Sequence, residues 1–573
     1  MKKYRKESLI APLFKLLEAS FELIVPLIIA AIIDKGIASP DKNVGLIVKY
    51  SLILVLLAIV GWVCAVIAQY YAAKAAVGMT CEIKSDLFRK LQSLSHTEYD
   101  TLGNSTMITR MTSDCNLVQN AVNLFLRLFL RAPIIVFGAM IMAFTVSVRA
   151  ALIFVAVIPL LAIVVYGIML ITVPLYKKVQ SKLDGLLGIT RENLNGARVI
   201  RAFCREKDET ARFDSTNSEL SVMQRFVGKI SALTNPLTYL IINAAIVVLI
   251  YVGAIQVDHG DLTQGQVIAL YNYMSQILVE LIKLANLIVT VTKGIASMHR
   301  IDGVMELNSS ISFGGSDCVT SGSVVFENVG LTYKNAGAPS LTDISLSALP
   351  GQTIGIIGGT GSGKSSVVNL IPRFYDATEG RITVDGKNIS DYSSEGLRSS
   401  IGFVPQHAKL FKGSIRDNML VGNESATDEE IIAALKDAQA YDFVMEKDGG
   451  LDFKLESGAR NLSGGQKQRL TVARALVRRP KILILDDSAS ALDYRTDSLM
   501  RDAITNLPFH PTTFIVSQRA SSVLHADKIL VLEDGECAGY GTHAELIESC
   551  DVYKEIYYCQ FPDERKGGNV LEK

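Results

Sequence analysis

A chain of 573 residues is too long to fold around one hydrophobic core, so two or more domains are expected. Hydrophobic residues make up 49% and mean hydropathy is +0.30, high for a soluble protein, with the apolar residues crowded into the first half. Net charge is zero, so nothing global points to nucleic acid, and the eight cysteines (Cys64, Cys81, Cys115, Cys204, Cys318, Cys537, Cys550, Cys559) lack the spacing of a zinc or disulfide framework and read as reduced thiols.

The basic start MKKYRK leads into an apolar run that continues past the length of a secretory signal and carries Glu18 and Glu22, so it reads as a retained first span. Six spans are expected near 13–36, 46–70, 122–147, 150–174, 230–256 and 266–288. An even number returns the chain to the side on which it started. The loops after the second and fourth spans are rich in Lys and Arg (Lys84, Arg89, Lys90; Lys177, Lys178, Arg201, Arg205), which places them in the cytoplasm with the N-terminus. These inner loops keep a helical apolar period, as in CEIKSDLFRKLQSL, so the spans are expected to continue as helices beyond the lipid. Residues 1–306 thus form a multi-pass membrane domain in contact with lipid.

On the sixth span Asn272, Gln276, Glu280 and Lys283 fall on one helical face, which Asn286 and Thr290 continue. A charge in hydrocarbon costs roughly 3 kcal/mol or more, so this face is expected to avoid lipid. It either lines a water-filled pathway for a small amphipathic solute or holds the bundle together through a Glu280/Lys283 or inter-helix pair. Glu22 lies about 18 Å along a helix from Asp34 at 1.5 Å per residue, within the inner half of the membrane, and is a further candidate for the same cavity.

A polar, glycine-rich linker is expected at 307–322, an α/β domain at 323–562 and a polar tail at 563–573. Within the α/β domain the stretch GGTGSGKSS, comprising Gly358, Gly359, Thr360, Gly361, Ser362, Gly363, Lys364, Ser365 and Ser366, fits the P-loop pattern between a strand-like TIGIIG and a helical SVVNLIPRFY. Such a loop turns backbone N–H groups onto phosphate oxygens, while Lys364 reaches the β/γ-phosphates and the Ser365 hydroxyl can ligate Mg²⁺. ATP and Mg²⁺ are therefore the expected cofactors.

Further motifs in this half resemble the ATP-binding cassette (ABC) transporters. NLSGGQKQR, 461–469, contains the family's LSGGQ signature; ILILDDSASALD, 482–493, looks like the Walker B strand and D-loop; FVPQ ends in Gln406 at the Q-loop position. Tyr333 matches the aromatic residue on which adenine stacks, SQRASSV the switch region, and YDTLGNSTMITRMTSD and NGARVIRAFCREKDETARF the coupling loops of exporters. The resemblance covers nearly the whole chain and implies an exporter-type half-transporter of a bacterial cell membrane. Its fold would be an α-helical six-span transmembrane domain with long cytosolic helix extensions, then an α/β P-loop ABC nucleotide-binding domain. It also implies Mg²⁺ ligands at Ser365, Gln406 and Asp486, a catalytic set of Asp487, Gln518 and Asp493, and a signature, Ser463, Gly464, Gly465 and Gln466, that serves the ATP of a partner cassette.

Two positions depart from the family pattern. Asp487 stands where the family has a glutamate, one methylene longer, and a misplacement of about 1 Å can cost on the order of 100-fold in rate. Gln518 stands where the family has a histidine; glutamine can hydrogen-bond a γ-phosphate but cannot relay a proton as imidazole does. The expected function is the degenerate-site subunit of a heterodimeric ATP-driven exporter, with a second half-transporter as partner and no nucleic acid. An ATP-gated channel or regulatory subunit, and a slow homodimeric exporter, are the alternatives, whereas the six spans exclude a soluble ABC ATPase.

Overall fold

The computed structural model describes residues 3–38, 43–315, 317–334, 336–489 and 491–562; the tail expected at 563–573 lies outside them. Two compact units emerge, one of residues up to Gln92 with Ser105–Glu306, the other of Ser93–Asn104 with the chain from Leu307 onward.

The first unit contains six helices long and apolar enough to cross a membrane: Arg5–Ile37, Val44–Ser93, Asn104–Val146, Val148–Asn195, Glu206–Asp258 and Gln264–Met305, hereafter spans 1 to 6. A hydrocarbon core needs about 20 helical residues. Spans 2 to 6 run to 42 residues or more, so the helices extend well past it. In lipid a helix satisfies its own backbone groups, and small residues then let neighbouring helices approach. Ala139, Ala143, Ala150, Ala151 and Ala269 accordingly lie buried in the main membrane core beside Phe154, Tyr273 and Met274. Span 6 is tied to span 1 at two levels. Tyr273 donates its hydroxyl to the Leu23 carbonyl at 2.6 Å, and Asp34 accepts from the Gly265 amide at 2.8 Å and the Thr263 hydroxyl at 2.5 Å. A side chain at position 265 would meet the Ala30 carbonyl oxygen at 2.4 Å, which explains the glycine there.

The second unit holds a six-stranded sheet in the order 536–541, 528–533, 353–358, 512–516, 482–486, 401–404, all parallel except the first pair. The strands 353–358, 482–486 and 528–533 read as near-continuous apolar runs because both of their faces are buried. A four-stranded antiparallel sheet, led by Val324–Leu331, shares a core with it through Phe326, Ile356 and Phe514. A helical layer around Asp428–Asp437 and Gly464–Leu476 has its own core of Leu435, Leu470 and Leu476.

Chain entry into the cassette is organised by one carboxylate. Asp385 accepts from the amides of Thr320, Ser321, Gly322 and Ser323 at 2.7, 3.0, 2.8 and 3.0 Å. Burial disfavours its charge, but these donors and the Ser321 hydroxyl outweigh burial and hold the carboxyl far below the usual range. Its contribution is therefore present above the unfolded carboxyl pKa of about 3.9 and is lost only as pH falls through the lowered folded value. In Asp385→Asn a single neutral oxygen replaces both carboxylate oxygens, and hydrogen bonds to charged groups contribute roughly 1.5–3 kcal/mol each. Amide exchange at 320–323 in the full chain should rise by at least about tenfold; unchanged protection would mean that strand pairing alone holds the turn.

Candidate functional site

Three adjacent parallel strands, Thr353–Gly358, Thr512–Val516 and Ile482–Asp486, end at one edge of the large sheet. The edge opens a cavity of about 510 Å³, the position at which open α/β sheets bind ligands. Thr360, Gly361, Gly363, Lys364, Ser365, Ser366, Gln406, Asp486, Asp487 and Gln518 line it. At Gly363, φ is +92° and an added Cβ would lie 2.9 Å from the Ser340 carbonyl oxygen, so the turn into the helix Lys364–Leu370 requires glycine. Lys364 folds back over the loop, donating to the carbonyls of Gly358 at 3.0 Å and Gly359 at 2.5 Å, with Ser362 Oγ at 3.5 Å. Burial pushes its ammonium pKa down, against the opposing charges of Asp487 and Asp486.

Ser365 donates to Asp486 Oδ1 at 2.9 Å, joining the P-loop helix to the end of the strand Ile482–Asp486. Burial raises the Asp486 carboxyl above the usual range, against the Ser365 hydrogen bond, and the adjacent Asp487 charge adds to the rise. Asp487 has φ +46°; its amide donates to the Val516 carbonyl at 3.0 Å, and its Oδ2 accepts from Gln406 Nε2 at 3.4 Å. A hydroxyl, carboxylates and an amide form an oxygen-rich set suited to Mg²⁺. Among the described residues no cluster of three His, Cys, Asp or Glu side chains could hold a metal unaided.

Not every expected site residue joins this cavity. Tyr333 lines a neighbouring one of about 410 Å³ with Thr97, Asp100 and Tyr375, and its hydroxyl donates to Ser366 Oγ at 3.0 Å. Asp493 caps the helix Tyr494–Thr505, accepting from the Thr496 amide at 3.1 Å. Ser463 and Gln466 form a capping box at the start of Gly464–Leu476, with Ser463 and Gly464 exposed and Gly465 half-buried. In the membrane unit Glu22, Asn272, Gln276, Glu280 and Lys283 line one cavity of about 350 Å³, and Lys283 donates to Glu280 at 2.8 Å.

Sequence reasoning missed two sets of contacts. The helix His96–Leu102, in the loop after span 2, belongs to the cassette unit: Asp100 accepts from the Tyr375 hydroxyl at 2.7 Å, and the Tyr375 ring meets that of Tyr333 edge-on at 4.9 Å. An unbroken chain of contacts thus runs from Asp100 through Tyr375 and Tyr333 to Ser366 in the P-loop helix. The second set is centred on Arg131, which reaches Glu18, Glu22 and Glu280 at 2.7, 2.9 and 3.4 Å. An arginine inside an expected span was the available signal.

Known proteins agree with this architecture. The family described as ABC transporter transmembrane region matches residues 8–281, and that described as ABC transporter matches 341–490. The "Uncharacterized ABC transporter ATP-binding protein YfiB" of Bacillus subtilis is 36% identical over 564 residues, 98% of this chain and 97% of the relative. The chain belongs to the ABC transporter family. Another ABC relative from Bacillus subtilis, the "Putative multidrug export ATP-binding/permease protein YgaD", is 32% identical, covering 98% of each chain. The fold is that of a bacterial Atm1-family ABC exporter solved with ATP bound, with a TM-score of 0.82, 24% identity, and 97% and 98% of the two chains covered. The chain is accordingly a multi-pass membrane protein carrying six spans and one ATP-binding cassette.

If Asp486 is a ligand of Mg²⁺, it must lose its proton to hold the ion. Because its carboxyl lies above the ordinary range, affinity for Mg·ATP should fall as pH drops from neutral toward the carboxylate range, while affinity for ATP in chelator changes less. Asp486→Asn should abolish that difference and leave metal-free binding through Lys364 in place. Equal pH profiles for the two ligands in the unaltered chain would remove Asp486 from the metal site.

Proposed function

We propose that this chain is the degenerate-site subunit of a heterodimeric ABC exporter that moves an amphipathic, drug-like or lipid-like solute outward. The observation that carries the reading is the pair Asp487 and Gln518 in the P-loop cavity, beside binding groups that are all present. Lys364 and the loop amides would hold the phosphates. Ser365, Asp486 and Gln406 would hold Mg²⁺, which supplies charge neutralisation on the phosphate oxygens when bound. Asp487 would face the attacking water from a carboxylate one methylene short, and Gln518 would contact the γ-phosphate without a proton to relay.

The signature supports an in-trans role. Ser463 and Gly464 are exposed at the N-terminus of a helix of 13 residues, outside the chain's own P-loop cavity, and a helix N-terminus favours phosphate. In this reading they close over the partner's ATP, where the partner supplies the Glu and His of the competent site. The helix Ala197–Ala202 buries none of its residues, and Val199 and Phe203 are 60% and 73% exposed, which suits a coupling loop that seats in a cassette. Export of an amphipathic solute is favoured by the exporter-like fold and by YgaD, the relative whose name refers to multidrug export.

Purified alone, the chain should bind Mg·ATP and hydrolyse it slowly; Asp487→Glu combined with Gln518→His should raise turnover by on the order of 10- to 100-fold. Vigorous hydrolysis by the unaltered chain, unchanged by these substitutions, would favour a homodimer with a competent site. In the heterodimer, Ser463→Arg should stop hydrolysis at the partner's site although this chain's P-loop is untouched. Undiminished turnover there would be incompatible with a head-to-tail arrangement.

A further inference from the structure

The membrane cavity on span 6 carries an unbalanced set of hydrogen-bonding groups. Arg131 of span 3 pairs with Glu18 and Glu22 of span 1 and lies 3.4 Å from Glu280, while Lys15 also pairs with Glu18. Glu280 is 3% exposed, and both Arg131 and Lys283 approach the same oxygen, Oε1. Its other oxygen, Oε2, is buried and has no hydrogen-bond partner among the described residues. One helical turn away on the same face, Gln276 Oε1 is likewise buried without a partner. Both residues line the cavity, and both vacant atoms are acceptors; the buried unpartnered donor nearby, Arg131 Nε, belongs to a residue that does not line it.

Glu22, Glu280 and Lys283 are the charged residues of the cavity wall, and Arg131 behind it pairs with both carboxylates, so the charges balance and the preference for a donor rests on the vacant oxygens. Val25, Ile29 and Ile135 complete the wall with apolar surface. A buried acceptor that stays unmatched is costly, and a charged acceptor gains most from a charged N–H donor. Building on the reading of this face as the solute pathway, we propose that the cavity binds amphipathic primary or secondary amines in their protonated form. Glu280 Oε2 and Gln276 Oε1 accept the ammonium N–H groups, and the apolar body lies on Val25, Ile29 and Ile135.

The test uses the full chain, with its partner where one co-purifies, in lipid nanodiscs, with empty nanodiscs correcting for partition into lipid. Equilibrium binding is measured for 2-(1-naphthyl)ethylamine, its N,N,N-trimethyl analogue, 2-(1-naphthyl)ethanol and 1-naphthylacetate. The amine should bind at least about tenfold more tightly than the alcohol and the trimethyl analogue, and the anion weakest, because only the amine brings both charge and N–H donors. Gln276→Leu should weaken the amine about fivefold or more and leave the alcohol unchanged, with Glu280→Gln acting in the same direction and more strongly. Equal binding of amine and alcohol, equal binding of amine and trimethyl analogue, tightest binding of the anion, or an amine affinity indifferent to Gln276→Leu would each overturn the proposal. If Glu280→Gln fails to assemble because Arg131 loses a partner, the ligand series on the unaltered chain and Gln276→Leu decide. Solute flux after thiol modification of Asn272→Cys separates the two readings. Blocked flux without amine preference sinks the amine site and keeps the pathway; amine binding at Gln276 with flux untouched keeps the site and sinks the pathway.

Discussion

Five parallel strands end at one edge of the cassette sheet, and the hydrogen bond from Ser365 Oγ to Asp486 Oδ1 at 2.9 Å ties the helix after one of them, Thr353–Gly358, to the end of another, Ile482–Asp486, across the central strand Thr512–Val516. The P-loop is held by the strand before it and the helix after it, which set the backbone of Lys364 at the cavity. Asp487 follows Asp486 directly and is anchored by its amide to Val516 in the intervening strand. Its side chain meets Gln406 only at 3.4 Å, near the limit of a useful hydrogen bond. A longer acid would extend further from the same anchor. In the proposed reading, the consequence of Asp487 is therefore a matter of reach.

The membrane unit is constrained by the opposite problem, the cost of charge away from water. Lys15, Glu18, Glu22, Arg131, Glu280 and Lys283 balance one another in number, and Arg131, 11% exposed, is the group that joins the acids of span 1 to that of span 6. Replacing such a cluster by apolar residues is often neutral or stabilising, so its presence is weak evidence for stability and better evidence for a geometry that must be kept. Glu280 pairs with Lys283 and Arg131 through one oxygen, and its other oxygen is buried without a hydrogen-bond partner among the described residues.

The helix His96–Leu102 shows how function can depend on a segment that belongs to one domain by sequence and to another by contact. It follows span 2 directly in the chain, yet it groups with the cassette, with His96 4.6 Å from the Phe374 ring and Asp100 bonded to Tyr375. Tyr375 leads to Tyr333, the residue expected to meet adenine. A change at Asp100 and a change at Tyr333 therefore act on a shared neighbour, Tyr375.

Local sequence was enough for the parts that local physics dictates. Six apolar runs long enough for a bilayer, glycine where a loop must turn with positive φ, and short motifs at strand ends all announce themselves within a few residues, because periodicity and backbone sterics act at that range. The two departures, Asp487 and Gln518, were equally legible, being single residues at motif positions. What the chain did not disclose was pairing across distance. Arg131 and Glu22 are 109 residues apart and meet only because spans 1, 3 and 6 pack together; Asp100 and Tyr375 are 275 residues apart and meet only because a loop helix joins the cassette. Which oxygen of Glu280 is satisfied, and which is left buried without a partner among the described residues, depends on three helices at once. No periodicity or motif encodes it, and the tertiary packing alone decides it.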